Sequence, residues 1–351
     1  MPNTAASIAV EHSREVGASI ERAPGEHRML TGDRPTGDLH IGHYLSSLRT
    51  RVAMQERGVD PFVLIADYQV IMDRDSVGRI KENVLSLLAD YLAAGLDPNR
   101  ATIFAHSSVP QLNQLMLPFL SLVTHAELQR NPTVKDELGA SGRPLSGLLF
   151  TYPVHQAADI LFCKADVVPV GGDQLPHIEQ TRLIARRFNA RYAAGSEVFP
   201  EPAPLLNDGQ RILGVDGQKM SKSRGNTIRL AATADETAKA IRKARTDSEP
   251  TITYEPERRP EVANLLTIAS GFTGRSPELL AAEVGDGGGS ALKALVIESV
   301  NEGLRTHRTR RQSIAADREY LLQILRTGNA KAEAVAGATL AEVREVMSMD
   351  Y

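Results

Sequence analysis

Short apolar runs alternate with stretches of helical periodicity along the first part of this chain. Three runs, at 28–30, 62–67 and 101–106, have the length and composition of buried strands. Between them, apolar residues spaced by threes and fours predict helices over 42–57 and 76–94. An alternation of this kind predicts a parallel sheet with crossover helices.

The alternation is interrupted once and then resumes. Residues 107–150 contain a long polar loop, and we expect them to form a helical insertion between two halves of the sheet domain. Beyond it, the pattern predicts a helix over 153–162, a strand over 166–170, a helix over 173–189 and a last short strand at 211–213.

The two ends of the chain differ from this central part. Residues 227–351 have a helical pattern, broken most clearly at 285–290, and we expect a helical domain whose last helix packs back on the sheet domain, 27–226. Residues 1–26 lack the apolar core of a signal peptide, and we expect a flexible, loosely ordered extension. The predicted fold class is α/β: a Rossmann-like parallel sheet with a helical insertion, plus a C-terminal all-helical domain.

Composition narrows the classes of protein that remain. The chain has 351 residues, enough for two or three domains, and its 42% hydrophobic content is ordinary for a globular protein. The only cysteine, Cys163, excludes an intrachain disulfide and a cysteine-rich zinc site, and it fits a reducing compartment. No apolar run is long enough for a membrane span. We therefore expect a cytoplasmic protein with no membrane partner.

Basic residues are concentrated in two stretches. The net charge of −3 argues against binding nucleic acid through overall charge, but it leaves room for a local basic face. Arg182, Arg186 and Arg187 share a predicted helix, and we expect them to be mainly structural. The stretch RTHRTRR at 305–311 is the stronger candidate for contact with an RNA backbone.

Two histidines flank Gly42 where the first predicted strand gives way to a helix. Turns at the carboxyl ends of parallel strands usually bind ligands. The helix amino terminus offers free N–H groups that suit an anion, and His40 and His43 could each donate an N–H to a phosphoryl oxygen. Capping of the helix explains this motif equally well when it is taken alone. A metal site is not favoured, because no third ligand lies at suitable spacing.

A lysine-rich loop, DGQKMSKSRGN at 216–226, follows the last predicted strand. Lysine is a compact charge that can follow a moving phosphate, and serines and glycines around Lys219 and Lys222 favour a mobile loop. Alone, this stretch is better explained as a solvated basic loop. One motif lies near the start of the sheet domain and the other at its end. Taken together, the two motifs favour the interpretation that both contact one bound nucleotide.

HIGH at 40–43 and KMSKS at 219–223 resemble, letter for letter, the signature pair of class I aminoacyl-tRNA synthetases. The chain also resembles tryptophanyl-tRNA synthetases in particular, over roughly residues 28–345. Three stretches carry this resemblance: TGDRPTGDLHIGHYLSSL, TYPVHQAADILF and VPVGGDQLPHIEQTRLIARRFN. The resemblance implies a homodimer that joins L-tryptophan to ATP as tryptophanyl-adenylate, with Mg²⁺ present and pyrophosphate released. It also implies that tryptophan then passes to tRNA(Trp), and that residues 227–351 read the anticodon.

The resemblance also implies roles for individual residues. Two histidines and two lysines would be catalytic, as stabilisers of negative charge rather than an acid–base pair: His40, His43, Lys219 and Lys222. The ATP site would be lined by Arg34, Pro35, Thr36, Gly42, His43, Gly171, Gly172, Asp173, Ile212, Lys219, Met220, Ser221, Lys222 and Ser223, with the KMSKS loop spanning 217–226. No metal held by the protein itself is implied.

Asp159 raises the question of amino-acid specificity. It lies on an otherwise apolar predicted helix, where a carboxylate is costly unless it is paired. A salt bridge on the helix face would explain it. The resemblance implies instead that Asp159 accepts the indole N–H of tryptophan, that Gln174 holds the amino-acid head group, and that Gln156 lines the same pocket.

Three positions depart from the family pattern. Gln69 stands where many tryptophanyl-tRNA synthetases have histidine, Gln156 where many have methionine or leucine, and Arg34 where glutamine is more usual. These changes resemble a divergent, secondary branch of the family. The resulting hypothesis is a more polar amino-acid pocket that binds tryptophan mimics differently.

Three other functions fit part of the pattern. Tyrosyl-tRNA synthetases share the fold and mechanism, but AADI and VPVGGDQLPHIE favour tryptophan. Small-molecule adenylyltransferases also pair histidines at a glycine-rich turn, but they are usually shorter and do not need the helical half after residue 227. A non-catalytic paralogue would be expected to lose His43, Lys219 or Lys222, and all three are present.

Overall fold

Five parallel strands form the central sheet of this computed structural model, which describes residues 5–72, 78–132, 134–135, 146–194, 196–206, 212–221 and 224–351. The strands are β1 (Arg28–Asp33), β2 (Asp60–Ile65), β3 (Thr102–Ala105), β4 (Val167–Val170) and β5 (Ala203–Leu206), in the spatial order β3-β2-β1-β4-β5. Because the strand order reverses beside β1, a crevice is expected between the loops that follow β1 and β4, where open α/β sheets bind ligands.

Helices flank this sheet and make up most of the C-terminal part. They are α1 (Ala5–Arg22), α2 (Ile41–His43, a π-helical turn Tyr44–Leu48, and Arg49–Arg57), α3 (Ile80–Ala94), α4 (Gln111–Leu120), α5 (His125–Arg130), α6 (Gly147–Leu161), α7 (Leu175–Tyr192), α8 (Ala234–Arg242), α9 (Pro260–Thr273), α10 (Pro277–Val284), α11 (Gly288–Gly303), α12 (Arg305–Ala316) and α13 (Arg318–Val346). The predicted α/β fold class with a helical C-terminal part is confirmed. Within the described ranges, no helix is both long and apolar enough to cross a bilayer.

The stretch expected to form a helical insertion contains α4 and α5 and the first residues of α6. Its residues 133 and 136–145 lie outside the described part of the chain. The helix predicted from 153 begins earlier, at Gly147, because the side chain of Ser146 accepts the N–H of Leu149 at 3.2 Å and caps it.

The prediction of a last sheet strand at 211–213 is wrong. The fifth strand is β5, and Leu213 forms only an isolated antiparallel bridge with Lys219; residue 211 lies outside the described residues. Proline at 204 conceals β5 in the sequence, since proline lacks the N–H that a central strand needs. At the edge of the sheet that missing donor is tolerated.

The prediction of a loosely ordered extension over residues 1–26 is also corrected, because most of it is α1. Ala9, Val16 and Ile20 lie along one face of α1, are between 1% and 6% exposed, and α1 packs against β5. The N–H of Leu206 donates to the hydroxyl of Ser13 at 2.8 Å and ties the strand to the helix. Composition alone does not reveal this apolar stripe, because the other faces of α1 carry polar residues.

The last helix covers the opposite edge of the sheet. Asn329 on α13 accepts the backbone N–H of Ala105 at 2.9 Å, and a Cβ placed at Gly328 would overlap the carbonyl oxygen of Ile103. The backbones of α13 and β3 therefore approach as closely as glycine permits. Both edge strands, β3 and β5, are covered by helices of the same chain.

One apolar cluster connects the sheet to the helices beyond residue 227. It contains Ile41 of α2, Val63 of β2, Leu266 of α9, Val300 of α11 and Leu321 of α13. The helical part therefore shares its core with the element that carries the first histidine motif.

Candidate active site

The candidate residues follow the carboxyl ends of four neighbouring strands. Asp33 ends β1, Gln69 comes soon after β2, His106 directly follows β3, and Gly171 directly follows β4. Because these strands are parallel, their carboxyl ends meet at one edge of the sheet. The fold thus gathers side chains from distant parts of the sequence at that edge.

The two histidines of the first motif lie against one another at the start of α2. His40 is the N-cap; its backbone N–H donates to Nδ1 of His43 at 3.3 Å, and the ring centroids are 3.8 Å apart. A Cβ at Gly42 would lie 3.0 Å from the His40 ring and 3.8 Å from the sulfur of Met220. The helix cap and the candidate phosphate site are therefore the same structure, and glycine keeps it open.

Backbone pairing joins the first motif to the chain that follows the lysine loop. Ile41 donates its N–H to the carbonyl of Ile228 at 3.0 Å, and Leu230 donates to the carbonyl of Leu39 at 2.9 Å. These two bonds flank His40 and tie the turn of the first motif to the segment after the lysine loop. Because Met220 also lies 3.8 Å from a Cβ at Gly42, the two motifs, far apart in the sequence, lie side by side.

A single asparagine organises the lysine loop. Asn226, 3% exposed, accepts the N–H of Ser221 at 2.8 Å and donates to the Asp216 carboxylate at 2.7 Å and the Lys219 carbonyl at 3.1 Å. Gly217 has φ of +78°, a conformation that favours glycine. Side-chain bonds therefore shape the loop, while Lys219 itself is exposed to solvent. Lys222 and Ser223 lie outside the described residues.

A buried arginine lies behind the first motif. Arg51, 2% exposed, donates to the carboxylate of Asp33 at 2.6 Å and to the hydroxyl of Thr31 at 2.9 Å, while Tyr91 donates to the same carboxylate at 2.7 Å. Burial alone would raise the pKa of Asp33, but Arg51 and His43, with the hydrogen bonds, lower it to about 2. Asp33 therefore stays anionic close to His43.

Asp159 is buried among polar partners rather than in an apolar slot. It is 3% exposed; His106 Nδ1 lies 2.8 Å from its Oδ1, and Gln69 donates to its Oδ2 at 2.8 Å. His106 in turn places Nε2 3.1 Å from Nε2 of His155. The carboxylate is thus paired, as its burial requires, and it retains lone pairs for a further donor.

Comparisons with known proteins bear on what this site does. The family model for class I tRNA synthetases (W and Y) matches residues 23–305. The tryptophan–tRNA ligase of Clostridium longisporum is 40% identical over 334 residues, which are 92% of this chain and 97% of that protein. That of Lactococcus lactis subsp. lactis is 40% identical over 337 residues, with 92% and 98% covered.

The chain belongs to the class I tRNA synthetases. Among solved structures, tryptophanyl-tRNA synthetase from Campylobacter jejuni, complexed with ADP and tryptophan, superposes with a TM-score of 0.79 at 31% identity and covers 92% of this chain and 99% of that one. The present protein is therefore an aminoacyl-tRNA ligase, and the resemblance drawn from its motifs is confirmed at the level of the family.

Tyr152 connects the two halves of the synthetase site and was missed from the sequence. Burial raises the pKa of its hydroxyl, Arg34 opposes this, and Asp159 adds to it, so Tyr152 lies close to both charged groups. The centroid of its ring lies 5.5 Å from that of His177, edge to face. Burial lowers the pKa of His177, and the charge of Asp173 opposes this, so Asp173 is also near. The position of Tyr152 seven residues, or two turns, before Asp159 on the same helix was the available signal.

His106 and His155 were missed as well. Neither belongs to a signature motif, and only the fold brings them to Asp159 from the end of β3 and from α6. The histidine of TYPVHQAADILF lies four residues before Asp159, one helical turn away, which would have indicated contact.

The remaining predicted residues differ in exposure. Arg34, Gly171, Gly172 and Asp173 are exposed. Pro35 and Met220 are buried, and the half-buried ones are Thr36, Gly42, Gln156, Gln174, Ile212 and Ser221. The side-chain oxygen of Gln156 is buried without a hydrogen-bond partner among the described residues. Polar groups therefore remain for a ligand to satisfy.

The basic stretches of the synthetase are used largely within the protein. Arg187 binds Glu127 at 2.6 Å, which agrees with a structural role for its helix. In the second stretch, Arg311 binds Asp90 at 2.6 Å and Arg308 donates to Thr237 at 2.9 Å, so both point inward. The expectation that 305–311 presents its charges to RNA must therefore be narrowed to its outward residues, such as Arg310.

Proposed function

We propose that the cleft between the two motifs activates L-tryptophan with ATP, and that the enzyme then transfers tryptophan to tRNA(Trp). The observation that carries this is the backbone pairing of Ile41 with Ile228 and of Leu230 with Leu39, which brings the two motifs side by side. The enzyme is a tryptophan–tRNA ligase, as its relatives at 40% identity are named.

Adenylate formation is an in-line displacement at phosphorus. A carboxylate oxygen of tryptophan forms a bond to the α-phosphorus of ATP, while the bond from that phosphorus to the pyrophosphate oxygen breaks. The protein needs no covalent nucleophile, because positioning and stabilisation of negative charge supply most of the catalysis. His40 and His43 donate to the phosphates from the α2 terminus, and Lys219 and Lys222 bring positive charge from the loop.

The other ATP contacts are assigned by their places at the edge of the sheet. Arg34, Pro35 and Thr36 follow β1, Gly171 to Asp173 follow β4, and Ile212 precedes the lysine loop. Mg²⁺ comes with ATP and is held mainly by phosphate oxygens and water, which suits a site rich in cationic and N–H donors. It would neutralise phosphate charge when bound.

Tryptophan is selected by Asp159. Indole has one donor and no acceptor, so a fixed carboxylate reads it well, whereas a phenol both donates and accepts. Gln174, after β4, is placed to hold the amino-acid head group, and Gln156 lines the pocket three residues before Asp159. Rejection of an analogue without the donor is strong in such a pocket, because the buried carboxylate would lose a partner.

The finer features of the family complete the proposal. The working form is a homodimer in the cytoplasm, and the helical region from residue 227 reads the anticodon of the tRNA. The relatives' name supports tRNA and tryptophan as partners. The homodimer, the cytoplasmic location and the reading of the anticodon rest on the resemblance of the motifs.

The first test is ATP–pyrophosphate exchange with each of the twenty amino acids. Exchange with tryptophan alone is expected, and exchange with tyrosine would replace the proposal by the tyrosyl activity. His43→Ala is expected to slow the tryptophan reaction about 100-fold or more. An unchanged rate in that variant would remove His43 from the catalytic set.

The second test separates the two substrates. Asp159→Ala is expected to raise the KM for tryptophan far more than the KM for ATP, because it removes the indole acceptor alone. Equal effects on both constants would contradict the role of Asp159. Transfer to tRNA(Trp) is then measured as formation of tryptophanyl-tRNA.

A further inference from the structure

Four buried polar side chains form a cluster around the proposed indole acceptor. Asp159, His155, His106 and Gln69 are each at most 3% exposed, and they come from α6, the end of β3 and the segment after β2. The proposed reaction uses only Asp159 directly. The two histidines therefore have no assigned function, although burying them is costly.

The contacts of the two histidines shift their pKa values in opposite directions. Burial lowers the pKa of His106, but the charge and hydrogen bond of Asp159, with smaller effects of Asp67 and Asn113, raise it overall. Burial lowers the pKa of His155; Asp159 opposes this, and the charge of His106 adds to it. Protonation is therefore favoured at His106 over His155.

Distances place the two ring nitrogens of His106 against different partners. Its Nδ1 lies 2.8 Å from Oδ1 of Asp159, and its Nε2 lies 3.1 Å from Nε2 of His155. Gln69 donates to the second oxygen of Asp159, so each carboxylate oxygen has a nitrogen neighbour.

The groups around His106 leave Asp159 as its direct counter-ion. Asp67 and the ring of Tyr68, whose centroid is 5.3 Å away, face it from the segment after β2, and Asn113 faces it from α4. Asp67 is itself engaged by the hydroxyl of Ser107 at 2.5 Å. Without His106, Asp159 would keep the hydrogen bond from Gln69 but lose its nearest cationic neighbour.

A metal ion is the alternative use of this cluster. His106, His155 and Asp159 each offer an atom, and these atoms lie within 4.8 Å of one another. However, His106 turns one nitrogen to the carboxylate and the other to His155, both at hydrogen-bond length. Proton sharing accounts for these contacts without an ion.

We propose that His106, supported by His155, is a positioning residue for amino-acid selection: together with Gln69 it holds the Asp159 carboxylate in the orientation that accepts the indole N–H. This inference rests on the proposed function. A carboxylate free to turn in the pocket would present its lone pairs less precisely to the single donor of indole. His106 thus acts on the substrate only through Asp159.

The chain offers a direct way to measure this step, because it contains no tryptophan. The fluorescence of bound tryptophan can be excited at the red edge of the indole band without background from the protein. We would measure the tryptophan Kd in this way, and the KM for tryptophan and for ATP by pyrophosphate exchange, from about pH 6 to about pH 8.5.

The decisive comparison is between His106→Leu, which removes the polar contact to Asp159, and His106→Asn, whose amide can replace the Nδ1 donor. The tryptophan Kd is expected to be about tenfold weaker in His106→Leu across this range and to be largely recovered in His106→Asn. The KM for ATP should change less than about twofold in both variants.

Other results would overturn the proposal. An unchanged Kd in His106→Leu, or an equal loss in the tryptophan and ATP constants, would mean that His106 does not position Asp159. Stoichiometric zinc in the purified enzyme that is lost in the variant would assign the cluster to a metal. If His106→Leu does not fold, Gln69→Leu removes the other polar contact of Asp159, and an unchanged tryptophan Kd in that variant contradicts the proposal. Absence of tryptophan-dependent exchange in the wild type would instead refute the proposed function.

Discussion

The guanidinium of Arg51 donates a 2.6 Å hydrogen bond to the carboxylate of Asp33, close to the turn that carries the first histidine motif. Arg51 comes from α2 and Asp33 ends β1, so this pair fixes the helix against the strand. His43 belongs to the same electrostatic group, because its charge contributes to the low pKa of Asp33. The pair thus links the stability of the sheet to the candidate ATP site.

Arg51→Leu is therefore expected to lower the free energy of unfolding by about 3–5 kcal/mol, because it leaves the Asp33 carboxylate without its cation. Combining it with Asp33→Asn should recover part of that loss. Urea unfolding of both single variants and the double variant measures the coupling. Arg57→Leu, at an exposed position of the same helix, is the control and should cost less than about 1 kcal/mol. Strict additivity of the two changes would contradict the ion pair.

Gly42→Ala is expected to reduce pyrophosphate exchange at least about tenfold while leaving the melting temperature unchanged or slightly raised. The new Cβ would lie 3.0 Å from the His40 ring, so the ring must move, whereas alanine itself is the better helix former. Gly17→Ala on α1, where a Cβ would meet no described atom within 4 Å, serves as the control and should leave exchange unchanged. Full activity in Gly42→Ala would mean that the His40 ring need not hold its observed position.

Two glycines of α13 give a matched pair for the packing of that helix. Gly328→Ala is expected to lower the free energy of unfolding by more than about 3 kcal/mol, because the Cβ would overlap the backbone of Ile103. Gly337→Ala, where the described structure leaves open space around a Cβ, should stabilise by about 0.5–1 kcal/mol. Equal effects of the two changes on urea unfolding would contradict the close contact of α13 with β3.

Asp90 is expected to stabilise the folded protein more at low pH than at neutral pH, which is the reverse of the usual behaviour of a carboxylate. Burial raises its pKa to about 6, although Arg311 opposes this at 2.6 Å, and the Leu39 N–H also donates to it. The folded state therefore holds this proton more tightly than the unfolded chain does. The contribution of Asp90 is full below about pH 4 and is lost as the pH rises to about 6.

Asp90→Asn should accordingly gain stability relative to the wild type as the pH is raised from about 4 to about 7, by about 1–3 kcal/mol. Urea unfolding of both proteins at the two pH values gives the difference in their free energies of unfolding. The loss of the Arg311 contact affects this difference equally at both pH values, so it does not enter the change with pH. If the difference is the same at both pH values, or moves the other way, then Arg311 keeps Asp90 ionised.

The sequence predicts the sheet well where strands are apolar and helices are periodic. β2, for example, lies between Asp60 and Ile65 as an almost continuous apolar run, and its prediction needed only composition and length. β5 was not predicted because Pro204 is compatible only with an edge strand. Whether a strand lies at the edge of a sheet is decided by the tertiary fold. The helix α1 escaped because its apolar stripe is narrow and its partner, β5, was itself missing from the prediction.

The candidate site divides in the same way. His40, His43 and Lys219 could be proposed from the sequence because their motifs are local and specific. His106 and Tyr152 carry no such pattern, and their relation to Asp159 arises only when β3 and α6 meet. Gln69, noted as a departure from the family, acquires a physical meaning in the fold, because it donates to the second oxygen of Asp159.

The pairing of Leu39 with Leu230 also has a temporal consequence. All of β2, β3, β4 and β5 are encoded between these two residues. A growing chain on the ribosome can form strands and helices early, but it cannot assemble both sides of the ATP cleft before Leu230 has been made. A protein that serves translation thus becomes able to bind its nucleotide only late in its own synthesis.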